Sequence, residues 1–214
     1  WIVVDFCDDH FEWMHYQEAL RLADVVTCPT HEMARRIKVL GRDAVVIADP
    51  YEYPLKKPHC KGENLLWFGH HVNKHSLERI LPELAGYHLR VVSNFAGAIP
   101  WSKKTMLKEF AKADIVVLPA TETYKSANRA IEAIRQGCFV VAEPHPALEG
   151  FPIFIGNIKE GIEWTLKNKA NRLISKAQQF VMERYSPQTL VGKWKTVTRR
   201  PITLDAEKRN GTDG

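Results

Sequence analysis

Apolar residues along this chain fall into two kinds of run. Short blocks rich in Val, Ile and Leu stand at 1–6, 24–28, 44–48, 65–68, 89–93, 115–118 and 138–142, with a shorter one at 153–155. Between them lie longer stretches, at 11–23, 31–40, 76–84, 103–113, 158–167, 171–184 and 190–197, with wider apolar spacing. Near-continuous blocks suit strands covered on both faces, and three-to-four spacing suits helices with one buried stripe. Their alternation predicts an α/β protein, with parallel strands joined by crossover helices on both faces of the sheet. Thr30 is the expected cap of the helix at 31–40, and Gly41 its stop. Residues 49–64 break the pattern. Pro50, Pro54 and Pro58 interrupt them, with Lys56, Lys57 and Lys61 between. Proline removes donors and fixes an extended path, so this segment reads as a linker between two units. Residues 199–214 are polar and read as a mobile tail.

The stretch 113–144, ADIVVLPATETYKSANRAIEAIRQGCFVVAEP, organises the rest. It reads strand, loop, helix, strand, with Ala127, Ile131 and Ile134 on the helix stripe and Gly137 as its stop. In parallel sheets ligands gather at the carboxyl ends of strands, where helix N-termini present free N–H groups. Here that place is 121–129. Lys125 supplies charge. Ser126 is placed to cap the helix or to offer a hydroxyl to a phosphate. The N–H groups of Ala127 and Asn128 are first-turn donors, and Arg129 adds a planar fork for phosphate oxygens. Glu132 lies one turn beyond Asn128 and is able to accept two hydrogen bonds from a sugar diol. The plainer alternative is a capped helix with Arg129 and Glu132 paired on its surface.

Composition narrows the function class. A net charge of +5 and a pI of about 9.0 suit an anionic ligand or an acidic membrane surface. The excess is too small to argue for nucleic acid. No apolar run approaches the ~20 residues of a membrane span, and no secretory signal is visible. Cys7, Cys28, Cys60 and Cys138 have no CxxC spacing, and three of them fall in apolar runs. Buried thiols in a reducing, cytoplasmic compartment are therefore expected. The chain opens with Trp1 inside an apparent strand and without an initiator Met, so it reads as part of a longer protein.

Other residues invite chemistry. Gly69 and His70 follow the strand at 65–68, where glycine lets a ligand approach the backbone or simply permits a tight turn. Trp101 precedes a helix and suits either an aromatic platform or core packing. His59, Cys60, His70, His71 and His75 match no standard zinc spacing, and His70 and His71 should point apart. Asp8, Asp9 and His10 follow a strand and face a prospective cleft, or one aspartate caps the helix expected at Phe11.

The stretch 114–137 resembles the donor-binding motif of retaining GT-B glycosyltransferases, which are built from two Rossmann-like halves. Asp114, Pro119, Glu132, Ala133 and Gly137 match that motif in order. Many members carry two glutamates eight positions apart; Glu132 matches the second, and Tyr124 stands at the first. Lys125, Ser126 and Asn128 resemble a subgroup with Lys-Ser-x-Asn before the helix. Gly69 and Lys74 loosely match the family's Gly-Arg and following lysine, with His70 in place of the arginine. Pro100–Trp101 is similar to an element near the nucleotide base. The resemblance implies an acceptor-side unit at 1–52, a linker at 53–64 and a donor-binding unit at 65–198. It implies transfer of a sugar from a nucleotide-diphosphate-sugar to an unknown acceptor, with no metal and no cofactor. Lys125 and Arg129 would carry catalysis. Gly69, His70, Lys74, Trp101, Ser126, Ala127, Asn128 and Glu132 would bind the donor. The alternatives are a non-catalytic nucleotide-sugar-binding module, or an epimerase or phosphorylase on the same fold. Contact with the inner membrane face fits the basic charge.

Overall fold

In a computed structural model the chain forms two parallel sheets joined by a proline-rich strap. The structure describes residues 1–168 and 170–199. The first sheet pairs β1 (Val3–Asp5), β2 (Val25–Cys28) and β3 (Val45–Val46), all parallel. Its crossovers are α1 (Met14–Leu22) and α2 (His31–Val39). The second sheet contains β4 (Asn64–Phe68), β5 (His88–Ser93), β6 (Ile99–Pro100), β7 (Ile115–Leu118), β8 (Phe139–Ala142) and β9 (Phe154–Ile155). Their order is β6-β5-β4-β7-β8-β9, with every pair parallel. The chain leaves β4 toward β5 on one side and later returns to β7 on the other. That reversal opens a crevice at the strands' carboxyl ends.

The crossover helices are α3 (Lys74–Ile80), α4 (Lys103–Phe110) and α5 (Asn128–Arg135), and α6 (Ile158–Lys167) follows the last strand. Two further helices follow, α7 (Ala170–Tyr185) and α8 (Pro187–Thr198). Successive strand residues point to opposite faces, and both faces are buried. Leu66, Val116 and Val140 pack with Met106, Phe110, Ile131 and Ile134 on one side. Leu65, Ile115 and Phe139 pack with Leu77, Ile80, Ile158 and Ile162 on the other. Each such side chain contributes about 1.5–3 kcal/mol on burial, which is why these four- and five-residue blocks hold as strands without alternating polar positions.

The departures from the sequence pattern have local causes. α1 begins at Met14 rather than Phe11, because Phe11 turns in to pack against Phe6, with ring centres 5.1 Å apart. Neither Asp8 nor Asp9 caps it; the N-cap is Trp13, with no side-chain bond. Pro82 tightens the end of the helix expected at 76–84 into a 3₁₀ turn over Leu81–Leu84. β6 has no counterpart in the pattern: two residues pair with Val92 and Ser93 at the sheet edge. Thr30 caps α2 as expected, its hydroxyl accepting from Met33 N at 3.1 Å. Cys28 and Cys138 are buried, but Cys7 is exposed, because β1 ends at Asp5 and leaves Cys7 beyond the sheet. Of the tail expected at 199–214, residues 200–214 lie outside the described residues. Among the described residues no helix is long and apolar enough to cross a membrane.

The strap is laced to α5 and α7. Lys56 N donates to Arg135 O (2.8 Å) and His59 N to Gly137 O (3.1 Å). Gln136 Nε2 reaches Pro54 O (2.7 Å), and Gln178 Nε2 reaches Lys56 O (2.8 Å). Gly137 has φ +84°, and a Cβ there would collide with the Lys57 carbonyl. A second crossing returns the chain to the first sheet through α8, where Trp1 Nε1 donates to Val197 O at 3.2 Å.

Candidate functional site

The carboxyl ends of β1, β4 and β7 face a common cleft of about 600 Å³. Gly69, His70, Trp101, Lys125, Ser126 and Arg129 line it, together with Asp8 and Asp49. Gly69 follows β4 because the space is already filled. A Cβ there would lie 3.0 Å from the Trp67 ring and 3.6 Å from Arg129 Nη1. The missing side chain thus lets the Arg129 guanidinium lie against the backbone at the end of β4.

Arg129 is the unusual group. It is half-buried and projects from the first turn of α5 into the cleft, where its nearest acceptor is Phe68 O at 3.5 Å. Among the described residues, no carboxylate forms an ion pair with it. Loss of hydration lowers its pKa from 12.5 to about 10, and the more distant Glu122 only partly offsets this. Arginine is rarely buried without a counter-charge. With the free N–H groups of the α5 N-terminus, the guanidinium presents hydrogen-bond donors and positive charge to the cleft.

Lys125 does not stand free. Its ammonium pairs with Asp8, from the loop after β1, and lies 5.2 Å from the Tyr124 ring centre. Ser126 does not cap α5; the N-cap is Ala127, without a side-chain bond. Ser126 and Asn128 instead lie beside Asp49, just beyond β3. Burial raises the Asp49 pKa, and these two neighbours temper the rise. Asp49 is a site residue that the motif did not reveal. Its one sequence signal is its place directly after the apolar run of β3, at a strand's carboxyl end.

Glu132 does not pair with Arg129. Its carboxylate accepts from Glu52 N (2.6 Å) and Tyr53 N (3.1 Å) of the strap. Burial raises its pKa, and these two amides hold it back. It borders a smaller cavity of about 240 Å³ that shares Asp49, Phe68, Trp101, Asn128 and Arg129 with this cleft. Trp101 is 60% exposed and forms a wall common to both cavities, so it is not a core residue.

The structure does not bring Lys74 to this place. It pairs with Glu78 at 2.6 Å, one turn along α3, and lies over the Phe95 ring. His70 does reach the cleft. Contrary to the expectation that His70 and His71 diverge, their ring centres are 4.0 Å apart, because Asn94 bonds both the amide and Nδ1 of His71. Asp9 pairs with Arg36, and His10 stacks on Trp13 at 4.2 Å. His59 Nε2 contacts Gln136 O at 3.0 Å. Among the described residues no three His, Cys, Asp or Glu side chains gather as a metal site.

No protein-family model matches the sequence, and neither does any curated protein. Solved structures do. The chain is similar to S. aureus TarM in complex with fondaparinux, α-GlcNAc-glycerol and UDP. Identity is 16% and the TM-score 0.69, over 87% of this chain and 46% of that one. It is similar to Anabaena HepE in complex with UDP and glucose, at 14% identity and a TM-score of 0.65, over 91% and 70%. The GtfA/B complex follows at 10% and 0.51, over 89% and 47%. The chain spans about half the length of the TarM chains it matches. The fold is that of the GT-B glycosyltransferases, with Rossmann-like parallel sheets and helices on both faces.

Proposed function

We propose that this chain carries the nucleotide-diphosphate-sugar site of a glycosyltransferase. The observation behind this reading is Arg129: a half-buried guanidinium with no counter-charge among the described residues, at a helix N-terminus, in a cleft at the ends of parallel strands. A donor diphosphate would supply the missing negative charge. Lys125 would add a second cation, and Ser126 and Asn128 would add neutral donors. The nucleoside would run into the smaller cavity, with Trp101 as a wall for the base and Glu132 within reach of the ribose hydroxyls. The sugar would lie toward His70 and Asp8.

When the sugar–phosphate bond breaks, negative charge gathers on the leaving diphosphate. Arg129, Lys125 and the α5 N–H groups would stabilise that charge from fixed positions, without need of a metal. Fixing the nucleoside would hold the anomeric carbon in place for an acceptor approaching from the β1 side. HepE and TarM were both crystallised with UDP, which supports a nucleotide ligand here by likeness of fold. Calorimetry with UDP, GDP and ADP tests the reading. Saturable binding of at least one of them, lost in Arg129→Met, is the expected result. No binding of any of the three at millimolar concentration would overturn it.

A further inference from the structure

The loop after β7 is fastened at its far end by residues of the other half. Thr30 Oγ1 donates to Tyr124 O at 2.8 Å while accepting from Met33 N, so its hydroxyl is used in both directions. The Arg36 guanidinium lies 4.6 Å from the Tyr124 ring centre and is itself anchored by Asp9. The Tyr124 ring packs against the core formed by Phe6, Met33 and Ile37. The next residue, Lys125, turns into the cleft and meets Asp8.

We propose that Asp8 is a positioning residue. It holds the Lys125 ammonium over the cleft, and so makes the anion site depend on the acceptor-side sheet, a role that rests on the nucleotide-sugar reading for its ligand. An ammonium has three donors, and Asp8 uses one, leaving the others for phosphate oxygens. Lysine has wide rotamer freedom. Fixing it before a ligand arrives removes that ordering cost from binding. Tyr124, Thr30 and Arg36 fix the backbone from which Lys125 projects, and Asp8 fixes its tip. If the halves separate, Lys125 loses its place, while Arg129, carried on α5 against the end of β4, keeps its own. The two cations therefore divide the work: Arg129 marks the site, and Lys125 completes it only when the halves are together.

Two measurements on the full chain test this. The first is hydrogen exchange over residues 119–127 without nucleotide. Reversing one charge, by Asp8→Lys or Lys125→Glu, should speed exchange there about fivefold, the loss of roughly one partly exposed ion pair. The double swap should return it to within about twofold of the parent. The second is UDP calorimetry in a double-mutant cycle. Asp8→Asn should weaken UDP about threefold or more in the parent, and should have no effect in a Lys125→Met background. Equal effects in both backgrounds, tighter binding in Asp8→Asn, or unchanged exchange on charge reversal would each overturn the assignment. Should the parent bind no nucleotide, the donor-site reading fails, and the exchange experiment still decides whether the tie exists.

Discussion

Replacing Arg129 by Met should weaken nucleotide binding while leaving the protein at least as stable. The two side chains have similar length, so the packing of the stem survives. No ion pair is lost, and the one hydrogen bond is a long contact to Phe68 O. The fall in pKa from 12.5 to about 10 corresponds to about 3 kcal/mol of penalty on the charged form. Met does not carry that penalty, so the urea midpoint should hold or rise. A bound diphosphate reverses the balance, since charge-assisted hydrogen bonds are worth about 1.5–3 kcal/mol. UDP affinity should therefore fall about 10- to 150-fold. Calorimetry and urea melts on the same preparations read both effects. An arginine with a structural role would lower both together. A stability loss above about 1 kcal/mol, or UDP affinity within twofold of the parent, would refute the reasoning. The pH dependence gives a second check. Bound phosphate favours the protonated guanidinium, so binding takes up a proton once the free group has begun to lose it. Affinity should be level below the pKa of about 10 and fall as pH rises through it. The Met variant lacks that component and serves as the control for titration of the base.

Glu132→Gln should weaken UDP yet leave pyrophosphate binding nearly unchanged, and a 2′,3′-dideoxy nucleotide should be indifferent to it; equal losses for the dideoxy compound and its parent would remove the diol contact. The same substitution has a pH signature. The folded-state pKa of Glu132 is raised, so its contribution to stability falls as pH rises from 4.5 toward the raised value. Urea midpoints across that window should slope less in Glu132→Gln. Trp101→Ala should change stability by less than about 0.5 kcal/mol but weaken nucleotide binding by about 1–3 kcal/mol if a base stacks there; quenching of Trp fluorescence by UDP should vanish with it. Gly137→Ala should cost about 2–4 kcal/mol in urea denaturation, from its positive φ and the collision with Lys57.

The strands at 115–118 and 139–142 were legible because their burial is complete: every residue is apolar, and no other element suits so short a run. Helix α6 matches the stretch read at 158–167, and its buried face runs through Ile158, Ile162 and Thr165. β6 was not legible, since two residues at an edge carry no period. The cluster at 125–132 was legible as chemistry but not as geometry. Lys125, Ser126 and Glu132 each found a partner more than 70 residues away, in Asp8, Asp49 and the strap amides. Pairings at that distance depend on how two sheets are set against each other, which local spacing does not encode. Lys74 could have been read differently, because Glu78 four residues on is the usual surface partner for a helical lysine.

The chain crosses between the sheets twice, through the strap and through α8, and the crossings touch: Tyr51 N donates to Tyr185 O at 3.1 Å. A body hung from one flexible cord swivels in every direction. One hung from two adjacent cords, knotted together, swings like a door. Lacing along α5 and α7 ties the strap down beyond Glu52, so any bending would concentrate near Asp49 and Pro50. The pair of Asp8 and Lys125, on the cleft side, would then be the door's catch, and a ligand in the cleft would meet both leaves at once.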